Sequence, residues 1–348
     1  MDLEPHVSVL ILNYNGRNWL ERFLPSALAT KYSNFSVIVA DNASTDDSCA
    51  WLETTYPAVR LIKLAKNYGF ATGNNLAAAQ IDSPYIVFLN SDVEVDSAWL
   101  APLVKRMEAM PKLAAIQPKI RSFYEKENFE YAGAAGGFID ELGYPLCRGR
   151  MVNICERDNG QYDDFRTIFW AGGACILVRK SVIAEIGLFE GYFFAHQEEI
   201  DFCWRAQLAG YQIAVEPLSL VFHVGGGTLA QQSPRKSFLN FRNNLMMIAR
   251  LYPAPQVFFL LFFRLCLDGL AGFVSLIKLN YQQTLAILQA HFAFYGQFSA
   301  IFRFRKQFRY PRRPLRELTG VYKGWFLIHF FLLNTKVFSK LPPKRLKN

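Results

Sequence analysis

The chain has 348 residues, about half of them apolar, which suffices for one large domain or two with a substantial core. Its formal charge of +9 is unevenly spread: Met1 to Gln232 carry 19 Lys and Arg against 27 Asp and Glu, whereas Ser233 to Asn348 carry 19 against 2, a net +17 in the tail. Aromatic runs such as Phe258-Phe259-Leu260-Leu261-Phe262-Phe263 within that basic tail argue against a nucleic-acid groove, and a membrane surface is the expected partner. The six cysteines show no Cys-x-x-Cys spacing and read as small buried hydrophobes in a reducing compartment, and no leader-type segment is recognised, so secretion is not expected.

Short β-branched runs at Val7 to Leu12, Val37 to Ala40, Val59 to Leu64, Tyr85 to Leu89 and Leu113 to Ile116 predict strands buried on both faces. Between the first two, Trp19, Leu20, Phe23, Leu24, Ala27 and Leu28 share one helical stripe, with Asn18 as the expected cap and Glu21 three residues on. Repeated strand-helix-strand units imply an α/β fold, a mostly parallel sheet flanked by helices, with ligands at the C-terminal strand ends. Asn67 to Asn75 reads as a glycine-containing turn before an Ala-rich helix at Asn75 to Gln80, and residues 121–166 as an irregular acceptor-side insertion.

Regular pattern returns with a strand from Ile168 to Val178 interrupted by Gly172-Gly173. A helix from Glu198 to Ala209, closed by Gly210, and short strands at Ile213 to Val215 and Leu220 to His223 follow. Composition changes near Ser233, which divides the chain into an α/β domain over 1–232 and a basic, aromatic-rich, membrane-associating helical region over 233–348. Within the latter, Val257 to Ile277 is apolar apart from Arg264 and Asp268. Charges at mid-span are costly in hydrocarbon, which predicts a monotopic helix or hairpin rather than a clean span.

Polar residues gather where the strands end. Asp41 can close an Asx turn or face a ligand, Asp46 fits a helix cap, and Gly69 and Gly73 permit either helix entry or the presentation of backbone N–H groups to a phosphate or sugar. Asp92 is a metal carboxylate or a solvated turn acid. Glu198, Glu199 and Asp201 open a helix where the macrodipole favours acids, with Glu198, Asp201 and Arg205 on one face.

Taken in order, Val7-Ser8-Val9-Leu10-Ile11-Leu12-Asn13-Tyr14-Asn15, Asp41-Asn42-Ala43-Ser44-Thr45-Asp46, Asn67-Tyr68-Gly69-Phe70-Ala71-Thr72-Gly73-Asn74, Leu89-Asn90-Ser91-Asp92 and Glu198-Glu199-Ile200-Asp201 resemble the family 2 glycosyltransferases, over roughly residues 7 to 228. The resemblance implies a GT-A-like fold with a Rossmann-like nucleotide-binding half, and inverting transfer from a UDP- or dTDP-linked sugar. It implies a donor site at Asn13, Tyr14, Asn15, Asp41, Asn67, Gly69, Gly73, Asn74 and Asn90, with Asp41 accepting the imide N–H of the base.

The same resemblance makes Asp92 and His223 ligands of a divalent metal. Many members read Asp-x-Asp where this chain has Asn90-Ser91-Asp92, and one carboxylate can suffice because nucleotide and water complete the shell. An imidazole ligand tilts the choice toward Mn2+ over Mg2+. Glu199 inherits the general-base position that is commonly Asp. Trp170, Gly172, Gly173, Glu198 and Asp201 fall on the acceptor and sugar side, although the glycine pair also suits a bulged strand. The motif spelling is most similar to bacterial rhamnosyltransferase-type members. That implies a lipid-linked glycan acceptor in cell-surface polysaccharide synthesis, at the cytoplasmic face of the plasma membrane. A nucleotidyltransferase, or a membrane-bound sugar-nucleotide binding protein without turnover, fits the same residues.

Overall fold

The computed structural model describes residues 4–225 and 233–346. In chain order the first elements are β1 (Val7–Asn13), α1 (Arg17–Leu28), β2 (Phe35–Asp41), α2 (Ser48–Thr55), β3 (Arg60–Lys63), α3 (Gly69–Ala78), β4 (Tyr85–Asn90), β5 (Val93–Val95), α4 (Leu100–Ala109) and β6 (Leu113–Ser122). An insertion supplies β7 (Gly137–Asp140), β8 (Pro145–Cys147), β9 (Arg150–Met151) and β10 (Ile154–Cys155). Then come β11 (Arg166–Ile168), β12 (Cys175–Arg179), α5 (Lys180–Ile186), α6 (Glu198–Leu208) and β13 (Gln212–His223). The basic region holds α7 (Pro234–Leu251), α8 (Gln256–Ile277), α9 (Tyr281–Tyr295), α10 (Phe298–Gln307), β14 (Val321–Tyr322) and α11 (Phe326–Phe331).

The main sheet runs β11-β13-β6-β12-β4-β1-β2-β3, with β5 on β13. Its N-terminal half, β4-β1-β2-β3, is parallel throughout, as the strand-helix repeats imply. Beyond it β12 inserts antiparallel between β4 and β6, so the far half is mixed. Both faces are covered: α1 and α4 seal one with Leu20, Leu24, Trp99 and Leu103, and α3, α6 and the C-terminal helices seal the other. The continuous apolar runs are explained by this double burial.

Several local expectations change. Helix α1 starts at Arg17 with Gly16 as its cap, while Asn18 is exposed and Glu21 pairs with Arg17 at 2.8 Å. Helix α3 starts six residues earlier than expected, at Gly69, because the Phe194 carbonyl accepts from the Phe70 and Ala71 N–H groups and closes its first turn. The strand expected over 168–178 is two strands, β11 and β12, joined by an irregular 169–174 segment. Conversely, the two short strands expected near 213 and 220 are one strand, β13, carrying an irregularity between Glu216 and Leu220. The insertion is more ordered than its glycine-rich sequence suggests, since β7 to β10 form a second sheet completed by β14, in the order β10-β9-β8-β7-β14.

Residues beyond the compositional change at 233 share the core of those before it. Leu315, Leu318, Val321, Tyr322 and Phe326 are buried with Phe138, Ile139 and Phe169. Gln207 binds the Thr319 backbone in both directions, at 3.3 and 2.9 Å.

Helix α8 is the one helix among the described residues long and apolar enough to cross a membrane. Its charges, however, turn inward. Arg264 donates to the Leu142 carbonyl at 2.9 Å and stacks 3.5 Å over Tyr144, and Asp268 lies 3.4 Å from His291 on α9. Phe258, Phe259, Phe262, Leu270, Phe273 and Ile277 are left on the outer face. The expected basic cluster is partly spent on the fold: Arg305 and Arg312 bind carbonyls at the end of α7 and Arg313 binds the Gln207 carbonyl.

Gly320 is the tightest point of this docking. A Cβ there would lie 2.0 Å from the Phe169 nitrogen, and φ is +72°. Gly320→Ala should therefore cost about 3 kcal/mol or more through overpacking and backbone strain, read as a lower midpoint in denaturant titration of the full chain. A midpoint equal to that of the parent protein would show that the C-terminal segment is not docked in this way.

Candidate active site

The register of the parallel strands gathers the donor-side residues. Asn13 pairs with Asp41 across β1 and β2, and Leu12 pairs with Asn90 across β1 and β4, so Asn13, Asp41 and Asn90 stand together at adjacent C-terminal strand ends. The Asp41 carboxylate accepts from Asn13 Nδ2 at 3.1 Å, from the Ser44 hydroxyl at 2.5 Å and from the Ser44 N–H at 2.9 Å. The turn reading of Asp41 is thus realised, and it holds the side chain at the strand end. Asn15, with φ of 49°, accepts from the Thr45 N–H at 2.7 Å, and Tyr14 is exposed beside it. Asp46 joins the two loops by accepting from the Arg17 and Ser48 N–H groups.

Asn42, to which sequence reading gave no role, ties this edge to the glycine turn. It donates to Asn67 Oδ1 and to the Gly69 carbonyl, each at 3.1 Å, and accepts from the Tyr68 N–H at 3.0 Å. Gly69 has φ of +76°, and a Cβ there would meet the Phe194 ring at 2.5 Å. A Cβ at Gly73 would meet Leu12 and Asn42 at 3.1 to 3.2 Å, and Asn74 is buried with its amide on the Phe70 carbonyl. Because Phe194 takes the Phe70 and Ala71 N–H groups, those two donors are not available to a phosphate, contrary to the simplest reading of the turn.

Asp92 and His223 meet. Asp92 Oδ1 lies 3.1 Å from His223 Nε2, both side chains being buried, and His223 Nδ1 lies 3.2 Å from Glu130 Oε1. Burial alone would lower the imidazole, but the Glu130 and Asp92 carboxylates raise it, to about 10. A nitrogen-plus-oxygen donor set of this kind fits Mn2+ or Mg2+ once the ring has given up its Nε2 proton, which an arriving cation favours. No cluster of three or more His, Cys, Asp and Glu forms a metal cage among the described residues, so Asp92 and His223 suit an ion whose remaining ligands come from nucleotide and water. The glycines Gly226 and Gly227, together with Thr228, lie outside the described residues. Glu130 was missed because nothing in its local sequence separates it from Glu125 and Glu127.

The segment leading into α6 is unusual. Phe194, His196 and Gln197 all have positive φ, between 64° and 70°, immediately before α6. Such backbone costs about 1–3 kcal/mol per residue and persists only where its surroundings fix it. Helix α7 does so: Asn243 Nδ2 donates into the carbonyls of Phe193, Ala195 and His196 at 2.7 to 3.1 Å, and Asn244 binds Gln197 Oε1 at 2.9 Å.

Glu198 and Glu199 follow. Burial and the neighbouring Glu199 charge push Glu198 well above the usual carboxylate range, and burial pushes Glu199 up to about 7. Glu199 packs over Gly173, whose added Cβ would sit 3.7 Å from the Glu199 carboxyl carbon and 3.9 Å from Phe70. The next residue's carbonyl, that of Ala174, accepts from the Asn90 N–H at 2.9 Å. One turn of chain therefore lies between Glu199 and the Asn90-Ser91-Asp92 strand end.

Other acceptor-side residues face elsewhere. Trp170 lies over Gly137 and donates from Nε1 to the Phe138 carbonyl at 2.8 Å, and Gly172 is required where a Cβ would strike the Ala132 carbonyl at 2.7 Å. Asp201 is fully buried between Arg205, at 2.7 Å, and Arg250, at 3.4 Å, so the i, i+4 pair read from the sequence forms, and it is used for packing.

Solved structures share this architecture and define it as the GT-A fold of nucleotide-sugar transferases. GalNAc-T7, solved with UDP, GalNAc and Mn2+, matches with a TM-score of 0.56 at 14% identity, over 73% of this chain and 49% of that one. A mannosyltransferase from Pyrobaculum calidifontis, solved with GDP-Man and Mn2+, matches with a TM-score of 0.54 at 14% identity, over 85% of this chain and 89% of that one. The family model for glycosyl transferase family 2 matches residues 8–187, and the chain belongs to that family. It is also 27% identical over 230 residues to N-acetylglucosaminyl-diphospho-decaprenol L-rhamnosyltransferase of Mycobacterium tuberculosis, covering 62% of this chain and 75% of the relative.

Proposed function

We propose that this glycosyltransferase moves a sugar, with inversion, from a UDP- or dTDP-linked donor to a hydroxyl of a lipid-linked glycan precursor, at the cytoplasmic surface of the plasma membrane. The observation that carries this reading is the packing of Glu199 over Gly173, one residue from the Ala174 carbonyl that holds the Asn90 end of β4. A proton acceptor and the donor-side strand end then lie close together. Family membership favours glycosyl over nucleotidyl transfer.

In this mechanism the Glu199 carboxylate takes the proton of the acceptor hydroxyl as that oxygen bonds to the anomeric carbon. The bond from that carbon to the donor phosphate breaks on the opposite side, releasing the nucleoside diphosphate. Asp41, held by Asn13 and Ser44, accepts the imide N–H of uracil or thymine, which present it identically. Asp92 and His223 would hold a divalent ion, which when bound supplies Lewis-acid neutralisation for a diphosphate leaving group. Glu130 orients the imidazole through the ring nitrogen that does not face Asp92.

Rhamnose is the sugar favoured by the similarity to the mycobacterial rhamnosyltransferase, whose name also carries a diphospho-decaprenol acceptor. The outer apolar face of α8 supports a monotopic attachment, because the helix keeps Arg264 and Asp268 against the protein instead of in hydrocarbon. Exposed Arg303, Lys306, Arg309 and Arg316 add about 1 kcal/mol each near an anionic surface.

Glu199→Gln keeps size and polarity but cannot take a proton, so turnover should fall by about 10²-fold or more while nucleotide binding is retained. A base raised to about 7 is protonated below that pH, so kcat/KM of the parent enzyme should rise with pH and level off above about 7. Greater damage from Glu198→Gln, or a flat profile through this range, would remove Glu199 from the role.

Asp92→Asn should weaken Mn2+ binding by about tenfold or more, followed by electron paramagnetic resonance of free Mn2+ with UDP present, with circular dichroism unchanged. Unaltered Mn2+ affinity would rule out Asp92 as a ligand.

In liposome flotation the full chain should float with neutral and with anionic lipid, and high salt should release only the fraction held by the exposed basic residues. Failure to float in any mixture would overturn the membrane assignment.

A further inference from the structure

A groove of about 650 Å³ runs between α7 and α9, within the roughly 300–1,000 Å³ typical of small-molecule sites. Its walls are apolar, with Phe194, Phe238, Leu285 and Ala286 among them, and Arg235 and Arg242 also line it. Neither arginine has a carboxylate partner among the described residues. Arg242 donates to the carbonyls of Tyr192 and Phe193, at 3.1 and 3.0 Å, and Arg235 lies 5.1 Å over the Phe194 ring. Two positive charges without a carboxylate partner beside an apolar trough, one exposed at Arg235 and the other buried at Arg242 on backbone carbonyls, match an anionic head group on a hydrocarbon tail, and match neither a neutral lipid nor a free sugar nucleotide.

The position of the groove narrows the occupant further. One end touches Phe194, whose ring packs on Gly69 and whose backbone leads to Glu199, so a ligand here abuts the segment that positions both. The first turn of α7 has two sides: Arg235 faces the groove, while Lys236 lies 5.6 Å over the Tyr131 ring, next to Glu130. At the other end Leu285 is 54% exposed, and α9 continues into the exposed Leu288 and Phe292, which join the apolar surface beside α8. The groove therefore links the exposed apolar face of α9 to the Phe194 segment.

We infer that the α7–α9 groove binds the isoprenoid diphosphate portion of the acceptor, its phosphates on Arg235 and Arg242 and the start of its hydrocarbon chain along Phe238 and Leu285. This inference rests on the lipid-linked acceptor proposed above and assigns it a site.

The test is photocrosslinking of the full chain in detergent with a benzophenone-bearing farnesyl diphosphate, mapped by mass spectrometry, with and without saturating UDP. Crosslinks within 234–242 and 282–289 that UDP does not displace are expected. Leu285→Glu and Arg235→Glu, both at exposed positions, should reduce them about tenfold while UDP affinity stays within twofold. Displacement by UDP would place the probe in the donor site and overturn the assignment. So would equal labelling by the corresponding benzophenone farnesol, or labelling confined to the outer face of α8, since each reports unspecific partition.

Turnover of a polyprenyl-diphosphate-linked sugar separates the two levels. If the parent enzyme uses it and the groove variants leave its KM unchanged, the groove fails and the acceptor class stands. If the parent enzyme neither uses it nor takes up the probe, both fail.

Discussion

The positive-φ backbone at Phe194, His196 and Gln197 is the constraint on which the rest of the site depends, because it aims the first turn of α6 at Gly173 and the strand ends. Left-handed conformation in three non-glycine residues out of four is costly and does not persist unaided. Three polar side chains of α7 supply the support inside a buried interface: Arg242 and Asn243 donate to the carbonyls of Phe193, Ala195 and His196, and Asn244 donates to the Gln197 side-chain oxygen. The Phe194 carbonyl passes the same constraint to α3, and Arg250 ties Glu190 to Asp201 behind it. Helix α6, the glycine turn and the helix that opens the basic region thus form one mechanical unit.

That unit explains why the C-terminal region is built as it is. A helix that only anchored the protein to lipid would not need buried asparagines, nor arginines capping the end of a neighbouring helix. Here α7 serves the 193–197 segment on one side and α9 on the other, while α8 and its neighbours present aromatic and aliphatic side chains outward. Turning Arg264 and Asp268 inward resolves the apparent conflict between a long apolar helix and its two charges, since each finds partners in protein.

Electrostatically the two ends of the site differ. Asp41 is surrounded by donors from Asn13 and Ser44, whereas the Glu199 carboxyl is buried, and burial lifts it to about 7. Two carboxyl groups in environments of opposite character suit opposite tasks, one accepting a hydrogen bond from a base, the other accepting a proton at neutral pH.

How much of this could be read in advance depends on distance along the chain. Strands buried on both faces must be continuously apolar, so β1, β2 and β4 and the polar residues at their ends are visible in sequence, and with them the fold class and the donor edge. Relations between distant segments are not visible. Glu130 reaches His223, Phe194 caps α3, Trp170 and Gly172 face the second sheet and the 132–133 backbone, and Asp201 is enclosed by Arg250, because the sheet order brings these residues together across tens to hundreds of positions. The tail shows the same division. Its composition by itself determines that an apolar, basic surface must exist. Which charges point to lipid and which to protein is decided by packing, since only tertiary neighbours can supply the carbonyls that hold Arg264, Arg305, Arg312 and Arg313.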